Sequence, residues 1–137
     1  GIVVEEGGTL VGQAYHPVAA KFPQPGWVEH PAEELWQTTQ SVLKGALAEA
    51  GLRPDEIAAI GIANQRGAAA IFDSAGKPLG PILGWQDQRT ATRCVELFGE
   101  GFFVIPNTAA SKYEWLLRAH GRGVSDLRPG TIDAYLA

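Results

Sequence analysis

The chain has 137 residues, 45% of them hydrophobic and 19% charged, which excludes disorder as the main state and predicts one folded core. A net charge of −4 argues against binding a phosphate backbone, which needs a basic face, and no run of 18 apolar residues is present to span a membrane. The single cysteine, Cys94, excludes an internal disulfide frame and a cysteine-based zinc site, and fits a reducing compartment such as the cytoplasm. The absence of Met and a start at Gly1 inside an apolar run suggest part of a longer gene product.

In chain order, Ile2–Val4 and Leu10–Tyr15 flank Gly7-Gly8, and this spacing predicts a β-hairpin. A Pro-rich loop, Phe22–Trp27, follows. Pro31 to Ala50 is the clearest helix. Pro31 suits a first turn, Glu33 and Glu34 sit at the positive dipole end, and Leu35, Trp36, Val42, Leu43, Ala46, Leu47 and Ala50 recur at helical spacing. Gly51 fits the position just past the helix end. Ile57–Ala63, nearly all apolar, predicts a strand covered on both faces, with Ala68–Phe72 as its hairpin partner or neighbour. Asp73–Pro78 has turn chemistry, and Leu79–Trp85 is a third apolar stretch. Helices are expected over Arg89–Phe98 and Ser111–His120, with another starting in Gly130–Ala137. Strands followed by mixed strand and helix indicate an α/β sheet domain.

No Walker loop or G-x-G-x-x-G is present, and His16, His30 and His120 have no metal-ligand spacing, so a structural role is expected for each. Cys94 lies among apolar helical residues and reads as a buried, inert thiol. Two segments carry more. Asn64-Gln65-Arg66-Gly67 follows an apolar run directly, where open α/β sheets bind ligands. Arg66 supplies a fork of donors for a hydroxyl or anion, and Gly67 lets a ligand approach the backbone; the alternative is a solvated loop arginine. In Trp85-Gln86-Asp87-Gln88-Arg89, an aromatic plane beside amide and carboxylate groups suits the C–H face and hydroxyls of a polyol. A buried Trp85 with Asp87 capping the next helix fits the same residues at least as well.

Taken together, Phe22-Pro23-Gln24-Pro25-Gly26-Trp27-Val28-Glu29-His30 with Trp36, then Gly61–Arg66, Gly84–Thr90, Ser111-Lys112-x-x-Trp115-Leu116-Leu117 and Gly130–Asp133 stand in an order that resembles the FGGY family of carbohydrate kinases, nearest its glycerol kinase branch. The resemblance covers nearly the whole chain. It implies part of an N-terminal domain of actin-like, ribonuclease H-like α/β fold, with a mixed sheet and flanking helices, incomplete here. It also implies transfer of the γ-phosphoryl of Mg-ATP to a polyol or ketose hydroxyl, in a cleft between two domains. In the family the N-Q-R arginine contacts substrate hydroxyls, a role that carries to Arg66, and the W-Q tryptophan packs on the carbon face of glycerol, a role that carries to Trp85. Gln65 and Asp87 lie in the same motifs and are taken as substrate-binding with them.

Two positions depart from the family. Glycerol kinases carry Glu after N-Q-R, where this chain has Gly67, and a substrate-contacting Tyr where it has Asn107. Losing a carboxylate and a phenol removes two hydroxyl partners and is expected to open space, so a polyol larger than glycerol, or a ketose, is expected. The phosphate loop, the catalytic Asp and the nucleotide-binding domain would lie outside this chain, so ATP and Mg2+ are expected to be held mainly elsewhere and no metal site here. Alone, the chain is expected to be inactive. Phe98–Gly101 and His120–Leu127 look shorter than in relatives. The rival reading is a non-catalytic relative that kept the fold for ligand binding or regulation. Partners are the small molecule and ATP, with neither nucleic acid nor membrane; a homo-oligomer is left open.

Overall fold

Strands β1 (Ile2–Val4) and β2 (Leu10–Gln13) form the expected antiparallel hairpin, pairing Ile2 with Gln13 and Val3 with Gly12. Gly8, at φ +84°, turns the chain between them, and the Gly8 N–H donates to the Glu5 carbonyl. Helix α1 (Ala32–Ala50) ends as its sequence dictates. Gly51 has φ +68°, its N–H donates to the Ala48 carbonyl, and the Leu52 N–H donates to the Leu47 carbonyl. These two bonds make a Schellman cap.

The computed structural model describes residues 1–121 and 124–137, so the stretch His120–Leu127 lies partly outside it. Where one core was expected, the chain resolves into two units: Gly1–Val18 with Glu33–Ile62, and Ala19–Ala32 with Ala63–Ala137. In the first, the hairpin backbone lies close on α1. A Cβ at Gly12 would sit 2.8 Å from both Cβ and N of Ala50, and one at Gly45 would sit 2.9 Å from the Ala14 Cβ. Small residues permit that approach. Gly12→Ala should therefore cost the intact protein about 1–3 kcal/mol by overpacking, read as a lower urea midpoint; an unchanged midpoint would refute the close packing.

Ile57–Ala63 is not the expected doubly covered strand. It pairs with no strand among the described residues, and Ile60 and Ile62 are 72% and 42% exposed. An apolar run states a tendency to be buried but supplies no partner for its backbone. Accordingly Ala68–Phe72 is not its hairpin mate. Strand β4 (Ala70–Phe72) pairs antiparallel with β6 (Arg128–Gly130), in the second unit. There β3 (Glu29–His30) pairs with β5 (Ile82–Leu83), and a bridge from Ala69 to Leu83 joins the two ladders. The α/β class holds, but the sheet is present as two-stranded antiparallel ladders rather than one mixed sheet. Helix α3 (Ala109–His120) packs on β4, and Ala69, Ile71, Leu83, Leu116 and Leu127 form the core of this unit. Helices α2 (Ala91–Gly99) and α4 (Ile132–Leu136) stand within two residues of expectation, and Cys94 is buried on α2.

Candidate functional site

The Ala69–Leu83 bridge positions the site. The Ala69 N–H donates to the Leu83 carbonyl at 3.0 Å, and the Leu83 N–H returns to Ala69 at 2.8 Å. In an antiparallel pair this brings the residues before β4 beside those after β5. The Gln65-Arg66-Gly67 turn and Trp85 thus come together, and the segment leading into α3 completes an open pocket of about 730 Å³. Gln65, Arg66, Gly67, Trp85 and Asn107, five of the six residues singled out from the sequence, line it, with Ile105, Thr108 and Ala109.

Their chemistry differs residue by residue. Arg66 is exposed, and among the described residues no hydrogen bond or ion pair engages its side chain. Trp85 is 42% exposed and presents an aromatic plane. Gln65 contacts the buried His30, its Nε2 lying 3.2 Å from His30 Nε2, while His30 Nδ1 lies 3.2 Å from the Ala19 carbonyl oxygen. With the imidazole proton on Nδ1, the ring donates to Ala19 and accepts from Gln65. Gln65 Oε1 is then buried without a partner among the described residues.

Gly67 does not open the room expected of it. Its φ is +78°, and a Cβ there would overlap the Asn107 carbonyl oxygen. The backbone of residue 107 occupies the space that a longer side chain at residue 67 would need, so the loss of a carboxylate at this position is chemical and not volumetric.

Asp87 stands apart from the pocket. It is fully buried, and both carboxylate oxygens are taken: Oδ2 by the Val28 N–H at 2.7 Å and the Arg89 guanidinium at 2.8 Å, Oδ1 by the Arg89 N–H and Nε. Arg89 also donates to Glu29 at 2.8 Å and lies 3.7 Å from the Trp27 ring centre and 4.6 Å from that of Trp115. The two indoles meet edge to face at 5.6 Å. Three of the motifs therefore build a buried guanidinium clamp, and Asp87 caps no helix, because α2 starts only at Ala91 with Thr90 before it.

Lys112 belongs to the Ser111-Lys112-x-x-Trp115 motif, which by itself assigns it no role. Its Nζ lies under the pocket, donating to the carbonyls of Pro106 at 2.5 Å and Gly67 at 3.0 Å, with those of Thr108 and Trp85 at 3.4 and 3.5 Å. Burial pushes its pKa below the ordinary lysine value. A lysine in the first turn of a helix opposes the dipole, and that was the available signal. Asn64 is not among the lining residues and donates to Asp133 at 2.8 Å. The Thr131 hydroxyl and this bond hold the Asp133 carboxyl below the usual carboxylate range. Its contribution to stability is therefore present above the unfolded value of about 3.9 and lost as pH falls through the lower folded value. A carbon-13 titration of Asp133 should show that depressed midpoint, and Asn64→Ala should raise it; no movement would refute the link.

The model of the FGGY family of carbohydrate kinases, N-terminal domain, matches residues 1–122. A glycerol kinase of Trichormus variabilis is 39% identical over 146 residues, covering 98% of this chain and 29% of the relative. Glycerol kinase 1 of Pseudomonas aeruginosa is 40% identical over 154 residues, covering 98% and 31%. The chain thus spans about 30% of the length of such relatives. Both alignments exceed the 137 residues of the chain, so each relative carries residues within the aligned region that this chain lacks. Among solved structures, Plasmodium falciparum glycerol kinase with ADP superposes with TM-score 0.87 at 22% identity, over 98% of this chain and 30% of that one. A xylulose kinase from Rhodospirillum rubrum gives 0.80 at 22%, with the same coverage. At that identity the two structures establish the fold.

Proposed function

The chain belongs to the FGGY family of carbohydrate kinases, and on that premise we propose that Gly1–Ala137 supplies part of the N-terminal domain and of the acceptor pocket of an ATP-dependent polyol or ketose kinase. The observation that carries this is the convergence, in one pocket, of an exposed guanidinium with no partner among the described residues and an exposed indole face, with Gln65 lining the same pocket. A polyol has an apolar C–H face and a set of hydroxyls, and these groups complement both. Arg66 donates to hydroxyl oxygens, and Trp85 covers the carbons. Phosphoryl transfer depends on positioning, and positioning is what these residues contribute.

No carboxylate or imidazole lines the pocket, so the general base comes from another part of the protein. ATP with its Mg2+ is assigned mainly to the remainder of the protein, because among the described residues no carboxylate, the usual protein ligand of Mg2+, lines the pocket. Among the described residues no helix is long and apolar enough to cross a membrane, and the acidic pI of about 5.3 with one cysteine supports a cytoplasmic enzyme.

The test is a screen of polyols and ketoses for ATP consumption by the full-length protein. Turnover of a polyol or ketose other than glycerol, with glycerol slower, is expected, because no carboxylate remains at residue 67 to hold a glycerol hydroxyl. Equal or faster turnover of glycerol would refute that preference, and binding without ATP consumption would establish the non-catalytic alternative.

A further inference from the structure

The pocket is walled on one side by the strap Ile105–Thr108, which carries no ladder hydrogen bonds of its own. What seats it is a buried cation. Lys112 has no exposed surface, and no carboxylate bonds its ammonium. A helical side chain leans toward the helix N-terminus, so Nζ reaches back past the start of α3. An ammonium has three protons and accepts nothing. The short bonds go to Pro106 and Gly67, and the longer contacts are to Thr108 and Trp85. The four carbonyls come from the three segments that line the pocket, which are distant in sequence and joined by no shared ladder at this point. Gly67 is the other half of the arrangement. Having no Cβ, it lets the Asn107 carbonyl lie directly against its Cα, and its own carbonyl is gathered by the same ammonium.

We propose that Lys112 is a positioning residue of the acceptor pocket: it draws the strap Ile105–Thr108 onto the bare backbone of Gly67 and so fixes the wall opposite Trp85. Lys112 does not touch the acceptor. A buried ammonium that no carboxylate hydrogen-bonds is costly, and a hydrophobic side chain at this position would hold α3 against β4 at no such cost. What an apolar residue could not do is hold three carbonyl-bearing segments at one point. The consequence for binding rests on the pocket being the acceptor site; the clamp itself does not.

Lys112→Met and Gly67→Ala in the full-length protein separate the two. Amide hydrogen exchange followed by mass spectrometry should rise about tenfold or more across residues 105–108 in either variant, with the Ile2–Gln13 hairpin unchanged. The KM for the acceptor should rise about tenfold, while kcat and the KM for ATP stay within about threefold. Because both variants release the same strap, the double variant should be no worse than the poorer single within about twofold. Unchanged exchange over 105–108, a rise spread evenly through β4 and α3, or effects that multiply would each overturn the proposal. If no acceptor supports ATP consumption, the functional reading fails and the exchange pattern still decides the clamp. If Lys112→Met yields no folded protein, Gly67→Ala carries the same comparison: exchange raised only at 105–108 supports the clamp, and exchange unchanged there refutes it.

Discussion

Asp87→Ala is expected to destabilise the intact protein by about 3–5 kcal/mol, the cost of breaking a buried ion pair from one side. The cost comes from what stays behind. The Arg89 side chain is only 2% exposed and is held between the Trp27 and Trp115 rings. With Asp87 gone, Glu29 alone faces that guanidinium, and the Val28 and Arg89 N–H groups lose their acceptor. Asp87→Asn keeps an acceptor but loses the charge, and should fall between the variant and wild type. Urea unfolding followed by tryptophan fluorescence measures both effects, since Trp27 and Trp115 flank the lesion. A midpoint for Asp87→Ala within about 1 kcal/mol of wild type would contradict the clamp. The acceptor KM of whatever protein stays folded should be nearly unchanged, because Asp87 does not line the pocket.

Arg66→Ala should do the opposite: little change in stability and a loss of about 10–100-fold in kcat/KM for the acceptor, the worth of one or two charge-assisted hydrogen bonds. Its guanidinium is exposed and has no protein partner to orphan, so removal should leave the fold intact. Arg66→Lys restores a charge but not the planar fork and should recover only part of the loss. The KM for ATP should not move. Steady-state kinetics on the full-length protein check all three, and an Arg66→Ala enzyme with wild-type kcat/KM would remove Arg66 from the site.

The contrast between these two residues shows where sequence reasoning stops. Both are charged residues in short polar motifs that follow apolar runs, and nothing local separates them. The fold turns Arg66 outward at the edge of β4 and folds Asp87 back under Val28, so one meets the pocket and the other meets Arg89. Lys112 shows the same limit. Its motif was legible, but four carbonyls converge on it only after three segments have been brought together.

Local chemistry was enough to determine the hairpin around Gly8, helix α1 with its Gly51 cap, the helices near 91–99 and 109–120, and the burial of Cys94. Each depends on periodicity, on a glycine that must take positive φ, or on a motif whose residues lie within a few positions of one another. Tertiary structure alone decided that β4 pairs with β6 while Ile57–Ala63 pairs with no described strand, that Asp87 is buried, and that the missing side chain at Gly67 makes room for the Asn107 carbonyl instead of a larger acceptor. The reason is physical. A strand's partner, a carboxylate's counter-ion and the atom facing a glycine all lie tens of residues away along the chain, and composition records what a residue can bond without recording what arrives beside it.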